Sequence, residues 1–272
     1  MEAPLTMCRL CRNTRPLQNS HLLPQAAYKP LRDDKPLANP HPVTMTRKTT
    51  LATAKQVTAY LLCSDCETLF SQKGENYVVT QCVQRDGQFR LREQLQAATP
   101  LCSSSTPQFT AYDAISILGD RLDSYLYFAA SIFWRTAAHS WKLGNNQRLK
   151  LSLGETYQEQ FRLYLLGQDS FPSNGSIYLH VASEVPSQLL QITFPSSVRR
   201  GRLDAHRHKF YMLGLIFALF LGGKTSQLYT RGALNSTQPC ILLRPWSEDS
   251  LFQANIDMAM ASTPIGVRRR LR

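Results

Sequence analysis

Residues 61–67 read Leu-Leu-Cys-Ser-Asp-Cys-Glu, and residues 7–11 read Met-Cys-Arg-Leu-Cys. Each stretch holds two cysteines separated by two residues, the spacing at which one tight turn presents two thiolates to the same ion. Two such pairs complete the tetrahedral four-sulfur shell that Zn²⁺ favours. Cys8, Cys11, Cys63 and Cys66 are therefore the expected ligands of one structural zinc. The chain from Arg12 to Leu62 separates the pairs and is longer than the usual spacing, so something sizeable is inserted between the two knuckles. The remaining cysteines, Cys82, Cys102 and Cys240, lack paired spacing and read as core or linker thiols. An odd total of 7 cysteines in a chain of this size argues for thiol or metal chemistry over a disulfide framework.

Outward from these pairs, the composition narrows the class. The 272 residues are 43% hydrophobic, which supports a packed core and excludes disordered and collagen-like classes. One large domain or two smaller ones is expected. The longest apolar run, Phe210 to Gly223, falls short of the roughly 18 residues that a membrane span needs and reads as buried core. The opening Met1-Glu2-Ala3-Pro4 has neither the basic flank nor the apolar stretch of a secretion signal, so a cytoplasmic location is expected. Lys and Arg number 31 against 19 Asp and Glu, a net charge of +12. Such an excess suits an anionic partner, most simply nucleic acid. Arg268, Arg269, Arg270 and Arg272 crowd the last five residues, and the body remains basic without them.

The stretch from Ala97 to Thr110, rich in small polar residues and Pro, reads as a boundary between an N-terminal module (residues 1–96) and a second region (111–272). In the second region Ile115, Leu118, Leu122, Tyr125, Ala129, Ile132 and Phe133 recur at spacings of three and four, predicting one long amphipathic helix from about Asp113 to Trp141. A further helix is expected after Gly154, with Tyr157, Phe161 and Leu165 on its buried side and Gly167 as its stop. Segments 177–182, 189–194, 210–221 and 240–245 read as strands of an antiparallel sheet. The fold class is thus α+β. Trp134 has the helical spacing of a core residue, with exposure for base stacking beside Arg135 as the alternative. His206 and His208, flanked by Arg207 and Lys209, read as a basic surface. Arg199, Arg200 and Arg202 form another basic cluster, equally readable as a solvated loop. No dinucleotide fingerprint, phosphate loop or serine nucleophile elbow is present.

Between the cysteine pairs stands Ser20-His21-Leu22-Leu23-Pro24. Taken with Cys8-x2-Cys11 and Cys63-x2-Cys66-Glu67, this order resembles the HNH (ββα-metal) nucleases, whose pattern runs Cys-x2-Cys, Asp-His-x2-Pro, then Cys-x2-Cys-His or Cys-x2-Cys-Asn. It is similar, more closely, to a group of bacterial proteins with an HNH-like treble-clef front. Their further motifs match Gly74-Glu75, then Ser131, Trp134 and Arg135, then Leu153-Gly154-Glu155, and finally Arg162, Tyr164, Leu165, Leu166 and Gly167. The resemblance spans roughly Met7 to Gly167. It implies an N-terminal zinc-bound treble-clef module, DNA as substrate, a setting in anti-phage defence, and His21 as general base beside a catalytic Mg²⁺ or Mn²⁺. This sequence departs from the pattern at Ser20, where the family has Asp, and at Glu67, where it has His or Asn. Glu67 and Glu75 are carboxylates suited to hold the catalytic ion in compensation. The alternative is a non-catalytic zinc finger that binds nucleic acid or a protein partner, such as an ATPase or another defence subunit. Candidate phosphate contacts are Arg9, Arg12, Arg47, Lys48 and Lys55 near the site, with Arg268, Arg269 and Arg270 as auxiliaries.

Overall fold

The computed structural model describes residues 3–31, 43–45, 49–52, 56–144, 147–184, 192–198, 205–222, 231–249 and 263–264. Strand β1 (Leu5–Met7) enters the first cysteine turn and returns as β2 (Thr14–His21), paired antiparallel from Leu5↔Pro16 to Met7↔Thr14. Arg12 sits at φ 63, which lets its N–H donate to the Cys8 carbonyl while Cys8 N–H donates to Asn13. Strands β3 (Val43–Met45) and β4 (Thr49–Ala52) pair with each other. Strand β5 (Thr58–Cys63) pairs antiparallel with β2 across a bulge between Leu17 and Asn19. At Cys63 the chain passes directly into α1 (Ser64–Phe70), then through one π-helical turn (Ser71–Glu75) into α2 (Asn76–Gln81). Asp65 and Glu67 lie in the first turn of α1, where the exposed N–H groups favour negative charge.

Next come α3 (Arg90–Ala97), β6 (Cys102–Ser105), β7 (Gln108–Asp113), α4 (Ala114–Leu118) and α5 (Leu122–Ala138). The hairpin β8 (Trp141–Gly144) and β9 (Gln147–Leu149) leads to α6 (Glu155–Leu165). Strands β10 (Gly175–Ala182), β11 (Ile192–Val198), β12 (His206–Met212), β13 (Leu215–Leu221) and β14 (Cys240–Arg244) follow, and β15 (Thr263–Pro264) joins β4. Seven of these strands form one sheet in the order β11-β12-β13-β10-β14-β7-β6. The architecture is α+β, and no helix among the described residues is long and apolar enough to cross a membrane.

Several elements differ from the sequence expectations. The sheet is mixed and not wholly antiparallel, because β14 crosses back to lie parallel to β10 on the side opposite β13. The apolar run from Phe210 to Leu221 is a hairpin: Leu213 (φ 46) and Gly214 (φ 96) take the left-handed conformations of a tight turn. The expected helix from Asp113 to Trp141 is broken. Asp113 caps α4 by accepting from Ile115 and Ser116 N–H (3.2 and 3.3 Å), and Gly119 at φ 51 ends it before α5 begins. The Ala97 to Thr110 stretch contains β6 and the start of β7, and its serines belong to a mostly exposed edge strand. His208 is buried at 2% exposure, its Nδ1 3.1 Å from Ser197 Oγ, and burial pushes its pKa down to about 4, so it is no part of a basic surface.

Helix α5 explains the rest of the packing. Every residue from Tyr125 to Ala137 is buried, so the helix is covered on all sides and not on one stripe. One side meets the sheet, where Phe133 and Phe128 lie 5.1 and 5.5 Å from the rings of Phe210 and Phe217. Another meets the N-terminal region, where Phe70 packs edge-on against Trp134 at 6.1 Å. The buried apolar residues of both regions, from Leu10 and Leu62 to Phe217 and Ile241, form one continuous core. Gly74 is a point of close approach to α5: a Cβ there would stand 3.0 Å from the Phe128 backbone N and Cα. Gly74→Ala must therefore push α5 away and is expected to cost about 1–3 kcal/mol. Urea denaturation checks this, and an unchanged midpoint would contradict the tight contact.

Candidate metal centre

The β1–β2 turn supplies Cys8 and Cys11, and the junction of β5 with α1 supplies Cys63 and Cys66. The four Sγ atoms all lie within 4.8 Å of one another, with Cys11 and Cys63 at 3.9 Å. Sulfurs bonded to a tetrahedral zinc at about 2.3 Å stand about 3.8 Å apart, so the cluster has the size of a zinc shell. Cys8, Cys63 and Cys66 are buried, and Cys63 N–H donates to Cys8 Sγ at 3.4 Å. A hydrogen bond from Cys66 pulls the Cys8 thiol down to about 4, while that contact and burial push the Cys66 thiol upward. Four sulfurs this close cannot all ionise unless a cation sits among them, which is the chemistry of a divalent metal site. Among the described residues no other three His, Cys, Asp or Glu side chains gather their ligand atoms in this way.

His21 ends β2, opposite Thr58 on β5, and is half-buried. Burial lowers its pKa from the ordinary 6.5, Glu67 and Glu75 pull it upward, and Arg135 pushes it down. The net shift is downward, so the ring is neutral at pH 7. Oε1 of Glu67 is buried and has no hydrogen-bond partner among the described residues. Glu75 is already engaged. Its Oε1 accepts from Arg135 Nη2 at 2.6 Å, and Arg135 Nη1 donates to the His21 carbonyl, also at 2.6 Å. The guanidinium is 1% exposed and its carboxylate 15%. Ser20, standing where the resembled pattern has Asp, is buried and ties the strands together by accepting from Leu62 N–H at 3.2 Å. The structure thus brings Glu67, Glu75 and Arg135 within electrostatic reach of His21 without converging the ligand atoms as it does for the cysteines.

A second arginine ties α6 to the cysteine turn. Arg162 Nη1 donates to the Leu10 carbonyl at 2.8 Å, while its Nε and Nη2 grip Glu159 at 2.9 and 2.8 Å. Glu159 also pairs with Arg12, and Asp65 pairs with Arg15. Of the expected phosphate contacts, Arg12 is therefore neutralised, Arg9 is exposed with no ion-pair partner among the described residues, and Arg47, Lys48, Lys55, Arg268, Arg269 and Arg270 lie outside the described residues. The sequence held Arg135 and Arg162 inside motifs without giving them partners. For Arg135 the available signal was an arginine in an otherwise apolar helix, which buries only with a counter-charge, whereas the polar residues of α6 give no such signal for Arg162. Arg135→Ala strands Glu75 and leaves the His21 carbonyl unsatisfied, and it is expected to cost about 3–5 kcal/mol. The double variant Arg135→Met with Glu75→Leu should recover part of that loss in chemical denaturation, and a neutral Arg135→Ala would contradict the buried pair.

Comparison of the chain with protein families, curated proteins and solved structures finds no match.

Proposed function

We propose that the protein is an HNH-like phosphodiesterase acting on DNA, with the four cysteines holding a structural zinc and His21 acting as general base. The observation that carries this reading is that a half-buried His21, held neutral by burial, lies within electrostatic reach of Glu67, whose buried Oε1 has no hydrogen-bond partner among the described residues. The order of elements supports it: cysteine turn, strand with His21, antiparallel β5, then a helix that carries the second cysteine pair and Glu67. His21 takes a proton from the attacking water as its oxygen bonds to phosphorus, and the bond from phosphorus to the leaving oxygen breaks, that oxygen being protonated from solvent. Glu67 is the residue that would hold Mg²⁺ or Mn²⁺, which supplies charge stabilisation at the phosphate when bound. Mg²⁺ commonly uses only one or two carboxylates together with substrate phosphates and water.

Two observations favour a second reading, a zinc finger that binds nucleic acid without cutting it. Ser20 is used within the sheet, and Glu75 is used by Arg135. Incubating the purified protein with supercoiled plasmid and Mg²⁺ or Mn²⁺ separates the readings. Nicked or linear product supports the phosphodiesterase, and intact plasmid that is nonetheless bound supports the finger.

A further inference from the structure

The chain has no Asp or Glu between Asp123 and Glu155, yet this interval holds Lys142, Arg148 and Lys150 beyond the buried Arg135. All three are exposed and lie on or just after the β8–β9 hairpin. Lys142 and Arg148 are direct cross-strand partners. Like charges placed so are destabilising, and an anion lying across them removes the repulsion.

The hairpin is fixed at its base. Trp141 is fully buried and its Nε1 donates to the Arg135 carbonyl at 3.0 Å, while Leu151 N–H donates to Thr136 at 3.2 Å. Strand β8 lies against β5, and Arg9, in the cysteine turn, is held to the same strand by its N–H bond to the Leu61 carbonyl at 3.1 Å. His139, whose ring meets Trp141 at 5.4 Å, sits among these cations. Burial and then Arg9, Arg148 and Lys150 lower its pKa. None of Arg9, Lys142, Arg148 and Lys150 has an ion-pair partner among the described residues, whereas neighbouring Arg12 and Arg15 are both paired with carboxylates.

We infer that Arg9 together with Lys142, Arg148 and Lys150 of the β8–β9 hairpin forms a track for the phosphodiester backbone of a nucleic acid. Two separated stretches of chain, the cysteine turn and the hairpin, present cations without ion-pair partners among the described residues, held on the strand that pairs with the His21 strand. Regularly spaced phosphates suit a row of separate cations better than does a single small anion. The inference rests on the phosphodiester reading of the His21 site and supplies its substrate contact.

The test is fluorescence anisotropy with labelled duplex DNA and duplex RNA of one sequence, without added divalent ions, across a salt series. Arg148→Ala with Lys150→Ala should weaken binding about tenfold or more at low salt and lower the slope of log affinity against log salt by about two. Arg90→Ala with Arg121→Ala removes the same charge elsewhere and should leave both values near the parent's. The duplex that binds more tightly identifies the source of the backbone. Loss of affinity confined to the hairpin variant supports the track even if the parent never cuts, a result that would remove only the catalytic reading. Parental affinity and slope in the hairpin variant, with plasmid cutting intact, would overturn the track and leave the catalytic reading standing. A parent that binds neither duplex, or that prefers polyglutamate or phosphatidylserine vesicles, would also overturn it. Circular dichroism of each variant confirms that the exposed substitutions leave the fold unchanged.

Discussion

Cys63→Ser is expected to unfold the whole protein and not only its N-terminal region. Zinc bound in a four-sulfur site contributes on the order of 10 kcal/mol to folding, comparable to the entire stability of an ordinary domain. Cys63 joins β5 to α1, and the residues around it, Leu61, Leu62, Cys66 and Phe70, share one continuous core with α5 and the sheet. If the four cysteines hold zinc as proposed, losing the metal removes support from one side of a helix that is covered on every side. A thermal melt followed by circular dichroism should show a single transition at much lower temperature, or none. Chelation of the parent with a strong zinc ligand should reproduce it. Loss of only the N-terminal signals, with an unchanged transition for the remainder, would show that the two regions fold separately.

The second large effect concerns chemistry. If the protein cuts DNA as proposed, His21→Ala should lower the rate by about 10² to 10⁴, since that is what a positioned general base commonly contributes. Zinc content and DNA affinity should stay at parental values, because His21 is neither a cysteine ligand nor part of the basic hairpin. The pH profile gives an independent reading. A base works in its neutral form, and burial holds His21 below its ordinary 6.5, so cleavage should persist through neutral pH and fall only as acid protonates the ring. Glu67→Gln should raise the concentration of Mg²⁺ or Mn²⁺ needed, because an amide is a poorer ligand than a carboxylate for a hard cation. Cleavage by His21→Ala at the parental rate would make His21 a structural residue of β2.

Much of the metal centre was legible in the sequence because its signal is local. A two-residue gap between cysteines specifies a turn whatever the rest of the chain does, and the pairs at Cys8 and Cys63 meet as their spacing implied. The α+β class was legible from the periodicity around α5 and α6. What escaped depends on partners far along the chain. Nothing near Trp134 or Arg135 announces that Arg135 reaches back to Glu75 and the His21 carbonyl, or that the apolar pattern of α5 has no exposed face. The parallel pairing of β14 with β10 likewise depends on a crossover that local alternation cannot encode. The basic hairpin carries no local motif: Lys142 and Arg148 face each other only through the β8–β9 register, and Arg9 joins them from more than 130 residues earlier in the chain.

The proposed fold support and the proposed site both require Cys8, Cys11, Cys63 and Cys66 to share one zinc ion. X-ray absorption at the zinc edge of freshly purified protein tests it most directly, with elemental analysis of the same sample. The expected result is one zinc per chain surrounded by four sulfurs at about 2.3 Å. Absence of zinc, or a shell containing nitrogen or oxygen in place of one or more sulfurs, would contradict it.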